Sequence, residues 1–195
     1  ESNQGPAPAV QAPREQMTDA AVHGSVASSQ LFDRLYISGF GSHVDPSEAL
    51  DQLSYDQKMD YLKRFARVAI SERKKYGVPS SIILANALLQ STGGTSEVTR
   101  LANNHFGLLA TEGWNANSQR FNGFKYRAYD NAWSSFRDHS QYLSKLDFGQ
   151  PLPSQTDYKA WATLLEEHGI YQISGLDKQL LDLIQAFQLY ELDTK

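Results

Sequence analysis

The feature that most constrains this sequence is a short run that is apolar nearly all the way round a helix. Residues 82–89 read Ile-Ile-Leu-Ala-Asn-Ala-Leu-Leu, between a proline and a pair of glycines. Such a run is typical of a helix buried in a core, because an exposed helix keeps one polar face. Ser80 or Ser81 can cap it, so we predict a core helix from Ile82 to about Thr92.

The flanking sequence predicts amphipathic helices and one hairpin. Apolar residues recur at spacings of three and four between Tyr55 and Tyr76, which predicts a helix with one buried face. An Asn-Gly pair with aromatic residues on either side predicts a tight hairpin within residues 118–129. Start signals and apolar spacing predict further helices from Pro46, from Thr95 or Ser96, after Asp130, around Trp161 and after Ser174. The expected fold is mostly α (α+β), with a hairpin insertion that can form a two-lobed cleft suited to gripping a polymer.

Composition and charge exclude several classes of protein. The chain has 195 residues, and its 18 basic and 22 acidic residues give a formal net charge of −4. These charges are mixed along the sequence without a basic stripe, so nucleic acid is not an expected partner. The chain has no cysteine, which excludes disulfides and thiolate metal sites. It also lacks the run of about 18 apolar residues that predicts a membrane span.

The sequence divides into two regions of different composition. Residues 1–30 are rich in Pro, Ala, Gln and Ser and show no sustained apolar period. We predict a disordered tether there, which could lead back to a membrane anchor. Aromatic and aliphatic density rises from Leu31, so a single domain is predicted over residues 31–195.

Four motifs, in order and at suitable distances, resemble the glucosaminidase domains of glycoside hydrolase family 73. Residues 79–91 read Pro-Ser-Ser-Ile-Ile-Leu-Ala-Asn-Ala-Leu-Leu-Gln-Ser and are similar to the start of the family's PxSxxLAQAxLESGxG helix. Residues 102–107 resemble ANNHFGIK, residues 125–140 resemble KFRxYDSxxESFRDHSxFL, and residues 158–162 resemble DYxxWAxGL. The resemblance covers about residues 55–191. It implies a lysozyme-like fold and, in active members, cleavage of β-1,4 bonds after N-acetylglucosamine in bacterial cell-wall glycan.

The resemblance places Gln90 where the family keeps its catalytic glutamate. Glycoside cleavage needs a carboxylic acid at the scissile oxygen, and an amide has no proton to transfer. The second acid that active relatives often carry in the hairpin segment is also missing from residues 118–123, which read Ser-Gln-Arg-Phe-Asn-Gly. We therefore expect a domain that binds peptidoglycan glycan strands, or an envelope protein partner, and is inactive or severely impaired as an enzyme.

Under two alternative interpretations the chain is, or derives from, an active endo-β-N-acetylglucosaminidase. Gln90 could be an engineered replacement of a native glutamate, or another carboxylate could act as the acid. Glu97 and Glu112 are the candidates for the second alternative, because both lie in segments that could face the cleft. Each is more typical of a solvated surface carboxylate.

The resemblance also implies a set of substrate-binding residues and a location. The candidates are Asn103, Asn104, His105, Phe106, Phe121, Phe124, Tyr126 and Tyr171. The two asparagines could instead satisfy the backbone of their own turn. Trp133 and Trp161 are expected in the core, and the spacing of His105, His139 and His168 does not predict a metal site. No cofactor is expected, and the predicted location is the bacterial cell envelope, periplasmic or secreted.

Overall fold

The computed structural model describes residues 46–171 and 173–195. The predicted tether over residues 1–30 and the first part of the predicted domain, residues 31–45, lie outside the described residues. Within the described part the fold is mostly helical with one two-stranded antiparallel sheet, as predicted. No helix among the described residues has both the length and the apolarity needed to cross a membrane.

The first three helices include the core helix. Helix α1 spans Pro46–Asp51 and α2 spans Tyr55–Tyr76. Ser54 and Gln57 form a capping box at the start of α2, and Gly77 closes it in the left-handed conformation with φ of 78°. Helix α3 spans Ser80–Gln90, and all eleven of its residues are buried.

The start of α3 differs from the prediction. The helix begins at Ser80, with Pro79 at the cap position and no side-chain cap from within the segment. The acceptor for the helix N-terminus comes from the far end of the chain instead. The Asp193 carboxylate accepts hydrogen bonds from the backbone N–H and the hydroxyl of Ser81, at 2.9 and 2.6 Å. Ser81 is therefore a donor to a distant cap and not the cap itself.

A short helix and the hairpin follow α3. Helix α4 spans Glu97–Ala102 and is capped by Ser96. Strand β1, Ser118–Phe121, pairs with β2, Phe124–Arg127, in the register that pairs Phe121 with Phe124. The turn residues Asn122 and Gly123 have φ of 47° and 84°, the left-handed pair that the Asn-Gly signature predicts.

Three helices and a terminal turn complete the fold: α5 at Ala132–Lys145, α6 at Tyr158–Glu167, α7 at Leu176–Ala186, and a 3-10 helix at Leu189–Thr194. Asn131 caps α5, so the helix begins one residue later than the predicted Asp130 cap indicates. Trp161 is fully buried, as predicted. The prediction for Trp133 was wrong, because its side chain is 48% exposed with the Arg137 guanidinium 4.4 Å from its ring centre.

Helix α3 runs through the centre of the main core. It packs against α1, α2, α6, α7 and the terminal 3-10 helix. The hairpin has a small apolar cluster of its own, built from Ala102, Phe121 and Tyr126. The last residue of α3, Gln90, therefore marks the end of the most buried helix in the described part of the chain.

Candidate functional site

The position that the sequence assigns to the family's acid lies at the C-terminal end of α3. Gln90 is 4% exposed. Its side-chain Nε2 donates a hydrogen bond to Oδ1 of Asn86, one turn earlier, at 3.3 Å. Its Oε1 is buried and has no hydrogen-bond partner in the protein. A buried acceptor without a partner is uncommon in folded proteins, and a water molecule or a ligand can supply the donor.

A row of buried polar side chains leads away from Gln90 through the core. Nδ2 of Asn86 lies 3.2 Å from Nε2 of His139, and the same nitrogen of His139 forms a short hydrogen bond with the Tyr171 hydroxyl. Phe106 stacks on the His139 ring with 3.7 Å between ring centres and 7° between planes. Helices α3 and α5 and the loop before α7 thus meet in one row, which we call the polar row: Gln90, Asn86, His139 and Tyr171.

The polar row is electrically neutral. Burial lowers the pKa of His139 to about 3, so its imidazole is uncharged at neutral pH. Burial also raises the pKa of Tyr171 well above its usual range, which keeps the phenol protonated. Since Asn86 and Gln90 carry amides, the row holds no charge. In the described part of the chain no carboxylate hydrogen-bonds to any of its four members.

A second buried pair joins α2 to the loop that follows α4. The Tyr61 hydroxyl and Nδ1 of His105 are 2.8 Å apart. Burial, and to a smaller extent the charge of Arg64, lower the pKa of His105 to about 4. His105 is therefore neutral, and it is held in place by a backbone hydrogen bond to Ser135 at 3.0 Å.

The two candidate asparagines have their side chains engaged within their own loop. Nδ2 of Asn104 donates to the carbonyls of Leu108 and Arg127, at 2.8 and 2.9 Å, and its Oδ1 accepts from the backbone N–H of Leu108 at 3.0 Å. Asn103 adopts the left-handed conformation that ends α4 and donates to the carbonyl of Tyr129 at 2.9 Å. Of the two roles weighed from the sequence, the geometry favours the structural one.

The candidate aromatic residues divide by exposure. Phe106, Phe121, Tyr126 and Tyr171 are all buried, and burial raises the pKa of Tyr126 to about 12. Phe124, at the start of β2, is 41% exposed. Of these five side chains, Phe124 alone presents a large open face, whereas Tyr171 belongs to the polar row and Phe106 stacks on its histidine.

The alternative acids are on the surface. Glu97 is the first residue of α4 and Glu112 lies in the loop before β1, and both are exposed. Neither forms part of the polar row. The described residues also contain no group of three or more His, Asp or Glu side chains arranged to hold a metal ion.

Two members of the polar row, Asn86 and His139, were not among the residues singled out from the sequence as a site. Asn86 is the one polar residue inside the apolar run, four residues before Gln90, a spacing that places both on the same face of a helix. His139 follows the buried Phe136 by three residues, which also gives a shared face. Both spacings can be recognised in the sequence, but the contact between α3 and α5 cannot.

Comparisons with known proteins agree with this architecture. A family model described as "Glucosaminidase: Mannosyl-glycoprotein endo-beta-N-acetylglucosaminidase" matches residues 66–189. The exo-glucosaminidase LytG of Bacillus subtilis is 26% identical over 136 residues, which cover 62% of this chain and 48% of that protein. The chain therefore spans about half the length of this curated relative.

Solved structures show the same fold at low sequence identity. The glycoside hydrolase domain of FlgJ from Salmonella typhimurium matches with a TM-score of 0.56 and 21% identity, over 70% of this chain and 92% of that chain. The catalytic domain of the autolysin Auto from Listeria monocytogenes matches with a TM-score of 0.56 and 18% identity, over 75% and 94%. An N-acetylmuramoyl-L-alanine amidase from Staphylococcus aureus matches with a TM-score of 0.62 and 21% identity, over 73% and 45%.

Proposed function

We propose that this chain, which belongs to the glucosaminidase family, binds the glycan of bacterial peptidoglycan without hydrolysing it. The observation that carries the proposal is the neutral polar row ending at Gln90. At the position that the resemblance assigns to the family's acid, this protein holds an amide by a hydrogen bond to Asn86, within a row that contains no carboxylate. Side chains of this chemistry can hydrogen-bond to a sugar but cannot protonate it.

The missing proton supports the part of the proposal that excludes efficient hydrolysis. A sugar alkoxide leaves readily only when it is protonated as the bond breaks, and general acids contribute about 10²–10⁴-fold to such rates. Glu97 and Glu112 are exposed and lie outside the polar row, which supports their role as solvated carboxylates. The sequence of the hairpin offers no replacement either, because Gln119 and Arg120 occupy the segment where active relatives often carry a second acid.

The binding half of the proposal rests on what remains at the site. Oε1 of Gln90 is a buried acceptor without a protein partner, and sugar hydroxyl and acetamido N–H groups are donors of the kind that it lacks. The names of the similar proteins include an exo-glucosaminidase and a glycoside hydrolase domain, which supports a glycan as the ligand. Such a ligand would place the domain in the bacterial envelope, either periplasmic or secreted.

The proposal is tested with purified, insoluble cell wall. The chain is mixed with wall, the bound fraction is measured after sedimentation, and released reducing ends are measured over time. We expect binding and no release of reducing ends. A Gln90→Leu variant, similar in size and unable to hydrogen-bond, is the matched control and should bind at least about tenfold more weakly. Failure of the unchanged chain to bind wall would overturn the proposal.

A Gln90→Glu variant tests whether the missing acid at position 90 alone accounts for the expected lack of hydrolysis. Burial and the partial negative charge at the C-terminal end of α3 should raise the pKa of this carboxyl, the condition that suits a general acid. We expect the variant to bind wall and to release few reducing ends, because the hairpin still lacks the second acid. If the unchanged chain itself hydrolyses wall, and Glu97→Gln or Glu112→Gln abolishes this, the protein is an enzyme that uses another acid and the proposal is wrong.

A further inference from the structure

Two stacked pairs of aromatic rings join the first residues of α2 and α6 to the C-terminal part of the chain. Tyr55, the first residue of α2, stacks on Phe187 with 5.3 Å between ring centres and 21° between planes. Tyr158, the first residue of α6, stacks on Tyr190 at 6.2 Å and 22°. We call these four residues the aromatic patch.

The two stacked pairs are neighbours on the surface. Phe187 and Tyr190 are three residues apart, so their Cα atoms lie within about 10 Å of each other. The hydroxyl of Tyr158 accepts a hydrogen bond from Nε2 of Gln185 at 2.7 Å, which joins α6 to the end of α7. The four rings therefore belong to one area of the domain.

The aromatic patch is open to solvent. Tyr55 is 60% exposed and Tyr190 is 38% exposed, whereas Phe187 and Tyr158 are half-buried against the main core. The other large apolar side chains that are exposed in the described residues lie on separate elements: Leu101, Phe124, Trp133 and Leu152. A group of apolar rings on the surface of a soluble domain is typical of an interaction site.

The sequence before α1 contains a segment that needs such a surface. Residues 31–44 read Leu-Phe-Asp-Arg-Leu-Tyr-Ile-Ser-Gly-Phe-Gly-Ser-His-Val, and seven of these fourteen side chains are large and apolar or aromatic. Residues 1–30, in contrast, contain no Leu, Ile, Phe, Tyr or Trp. Apolar side chains at this density gain free energy when they leave water, so residues 31–44 are suited to packing against an apolar surface.

The segment is long enough to reach the aromatic patch. Helix α1 spans Pro46–Asp51, and α2 begins at Tyr55, so the path from Pro46 to Tyr55 covers at most about 22 Å. Fourteen extended residues cover about 46 Å. Residues 31–44 can therefore return from Pro46 to Tyr55 and continue over Phe187.

The charges beside the patch favour this segment over an anionic surface. Four exposed charged residues are direct neighbours of patch residues in the sequence: Asp56, Asp157, Lys159 and Glu191. Three acids and one lysine disfavour an anionic lipid surface or another polyanion. Residues 31–44 carry one acid, Asp33, and one base, Arg34, so they meet no comparable repulsion.

The segment and the most exposed rings of the patch also lie outside the part of the chain that matches the family. The family model covers residues 66–189. Residues 31–44, Tyr55 and Tyr190 all fall beyond its two ends. This distribution favours a contact that belongs to this chain over one that the glucosaminidase fold requires.

We infer that residues 31–44 pack over the aromatic patch of the same chain. The inference is independent of the proposed function. The apolar side chains of the segment cover Tyr55 and Tyr190 and remove their rings from water. Residues 1–30 then leave the domain at this surface, so whatever is attached to them is positioned next to the start of α2.

Limited trypsin digestion of the full chain tests the contact. Arg34 lies within the segment, and Arg14 lies in the polar sequence before it. A synthetic peptide of residues 1–44 gives the cleavage rates without the domain. Cleavage after Arg34 should be at least about tenfold slower in the full chain than in the peptide, because a docked segment must detach before it is cut. Cleavage after Arg14 should agree within about twofold.

A double variant of the patch removes the surface without removing the segment. Tyr55→Ser with Tyr190→Ser should accelerate cleavage after Arg34 at least about fivefold. The matched control, Leu101→Ser with Leu152→Ser, changes two side chains of similar exposure, 54% and 38%, and should alter the rate by less than about twofold. Thermal unfolding verifies that both variants are folded. Equal acceleration in the two variants, or none in the patch variant, would overturn the inference.

A double variant of the segment tests the contact from the other side. Phe32→Ser with Phe40→Ser should raise the equilibrium constant for unfolding in urea at least about fivefold in the unchanged chain. In the patch variant the same change should raise it by less than about twofold, because the contact is already lost. An equal effect in both backgrounds would mean that the segment packs elsewhere, and the inference would be wrong.

Two further outcomes contradict the inference directly. If trypsin cuts after Arg34 as fast in the full chain as in the peptide, the segment is not docked. If the molar mass measured by sedimentation equilibrium rises with protein concentration in the unchanged chain but not in the patch variant, a second copy covers the patch instead of residues 31–44.

Discussion

The two ends of helix α3 differ in the charge of the buried side chain that lies at each end. At the N-terminal end a buried carboxylate, Asp193, accepts hydrogen bonds from the backbone and the hydroxyl of Ser81. At the C-terminal end a buried amide, Gln90, makes one hydrogen bond to Asn86 and leaves its oxygen without a partner. Both positions are almost fully buried, at 2% and 4% exposure, so burial alone does not distinguish them.

The helix itself explains why the charged group is found at one end only. Unpaired N–H groups give the N-terminus of a helix a partial positive charge, and unpaired carbonyls give the C-terminus a partial negative charge. The partial charges therefore favour an anion where Asp193 lies, although burial raises the pKa of that carboxyl overall, and they disfavour one where Gln90 lies. A glutamate at position 90 would have its pKa raised by the same field, which suits an acid catalyst and costs stability. The amide removes that cost together with the proton.

The comparison predicts that the N-terminal end contributes more to stability. Asp193→Ala should lower the free energy of unfolding by about 2 to 3 kcal/mol, because it leaves the buried donors of Ser81 without an acceptor. Asp193→Asn keeps the shape and one acceptor and should lose about half as much. Denaturation in urea measures both values. A loss below about 0.5 kcal/mol for the alanine variant would show that the distant cap is unimportant and would remove the contrast between the two ends.

The neutral polar row predicts a loss of stability in acid. The pKa of His139 is about 3 in the folded protein and near 6.5 in an unfolded chain. Between these values the unfolded chain binds more protons, so stability is lost as the pH falls below about 6.5. From pH 7 to pH 4.5 the contribution of His139 is on the order of 2 kcal/mol. The variant His139→Gln keeps a polar group in the row without a titrating one.

Measurement of unfolding free energies at pH 7 and pH 4.5 for both proteins isolates this contribution. The difference between the two pH values should be smaller in His139→Gln by about 2 kcal/mol, whatever the variant costs at pH 7. The contribution of His105, whose pKa is also lowered by burial, is common to both proteins and cancels. An unchanged difference would mean that His139 is already charged in the folded row, contrary to its burial.

Local sequence signals predicted the helices and the hairpin. The features that these signals missed depend on contacts between segments that are far apart in the sequence. The capping box of Ser54 and Gln57 and the closing Gly77 define α2 from adjacent residues alone, and the Asn-Gly turn defines the hairpin in the same way. The start of α3 was placed wrongly because its acceptor, Asp193, is 112 residues away from Ser81. No local pattern encodes that pairing.

The candidate site shows the same limit. Gln90 was identified by resemblance, but the row behind it joins side chains of α3 and α5 with Tyr171, and pairing of that kind does not follow from spacing within one helix. Trp133 was misplaced because its spacing matched the buried face, whereas Arg137, bound to Glu72, covers part of its ring at the surface.

The smallest effect is expected at the C-terminal end of α3, and it would sharpen the contrast most. Gln90→Met is similar in length and removes one hydrogen bond, at 3.3 Å, together with an acceptor that has no protein partner. Since removal of an unsatisfied buried group offsets part of the lost bond, the free energy of unfolding should change by less than about 1 kcal/mol. Binding to insoluble wall should nevertheless fall by about tenfold, because the ligand loses its acceptor. Urea denaturation and sedimentation of the same preparation give both numbers. A stability loss as large as that of Asp193→Ala would instead assign Gln90 a structural role. The two ends of α3 would then differ in charge, but both would serve to stabilise the fold.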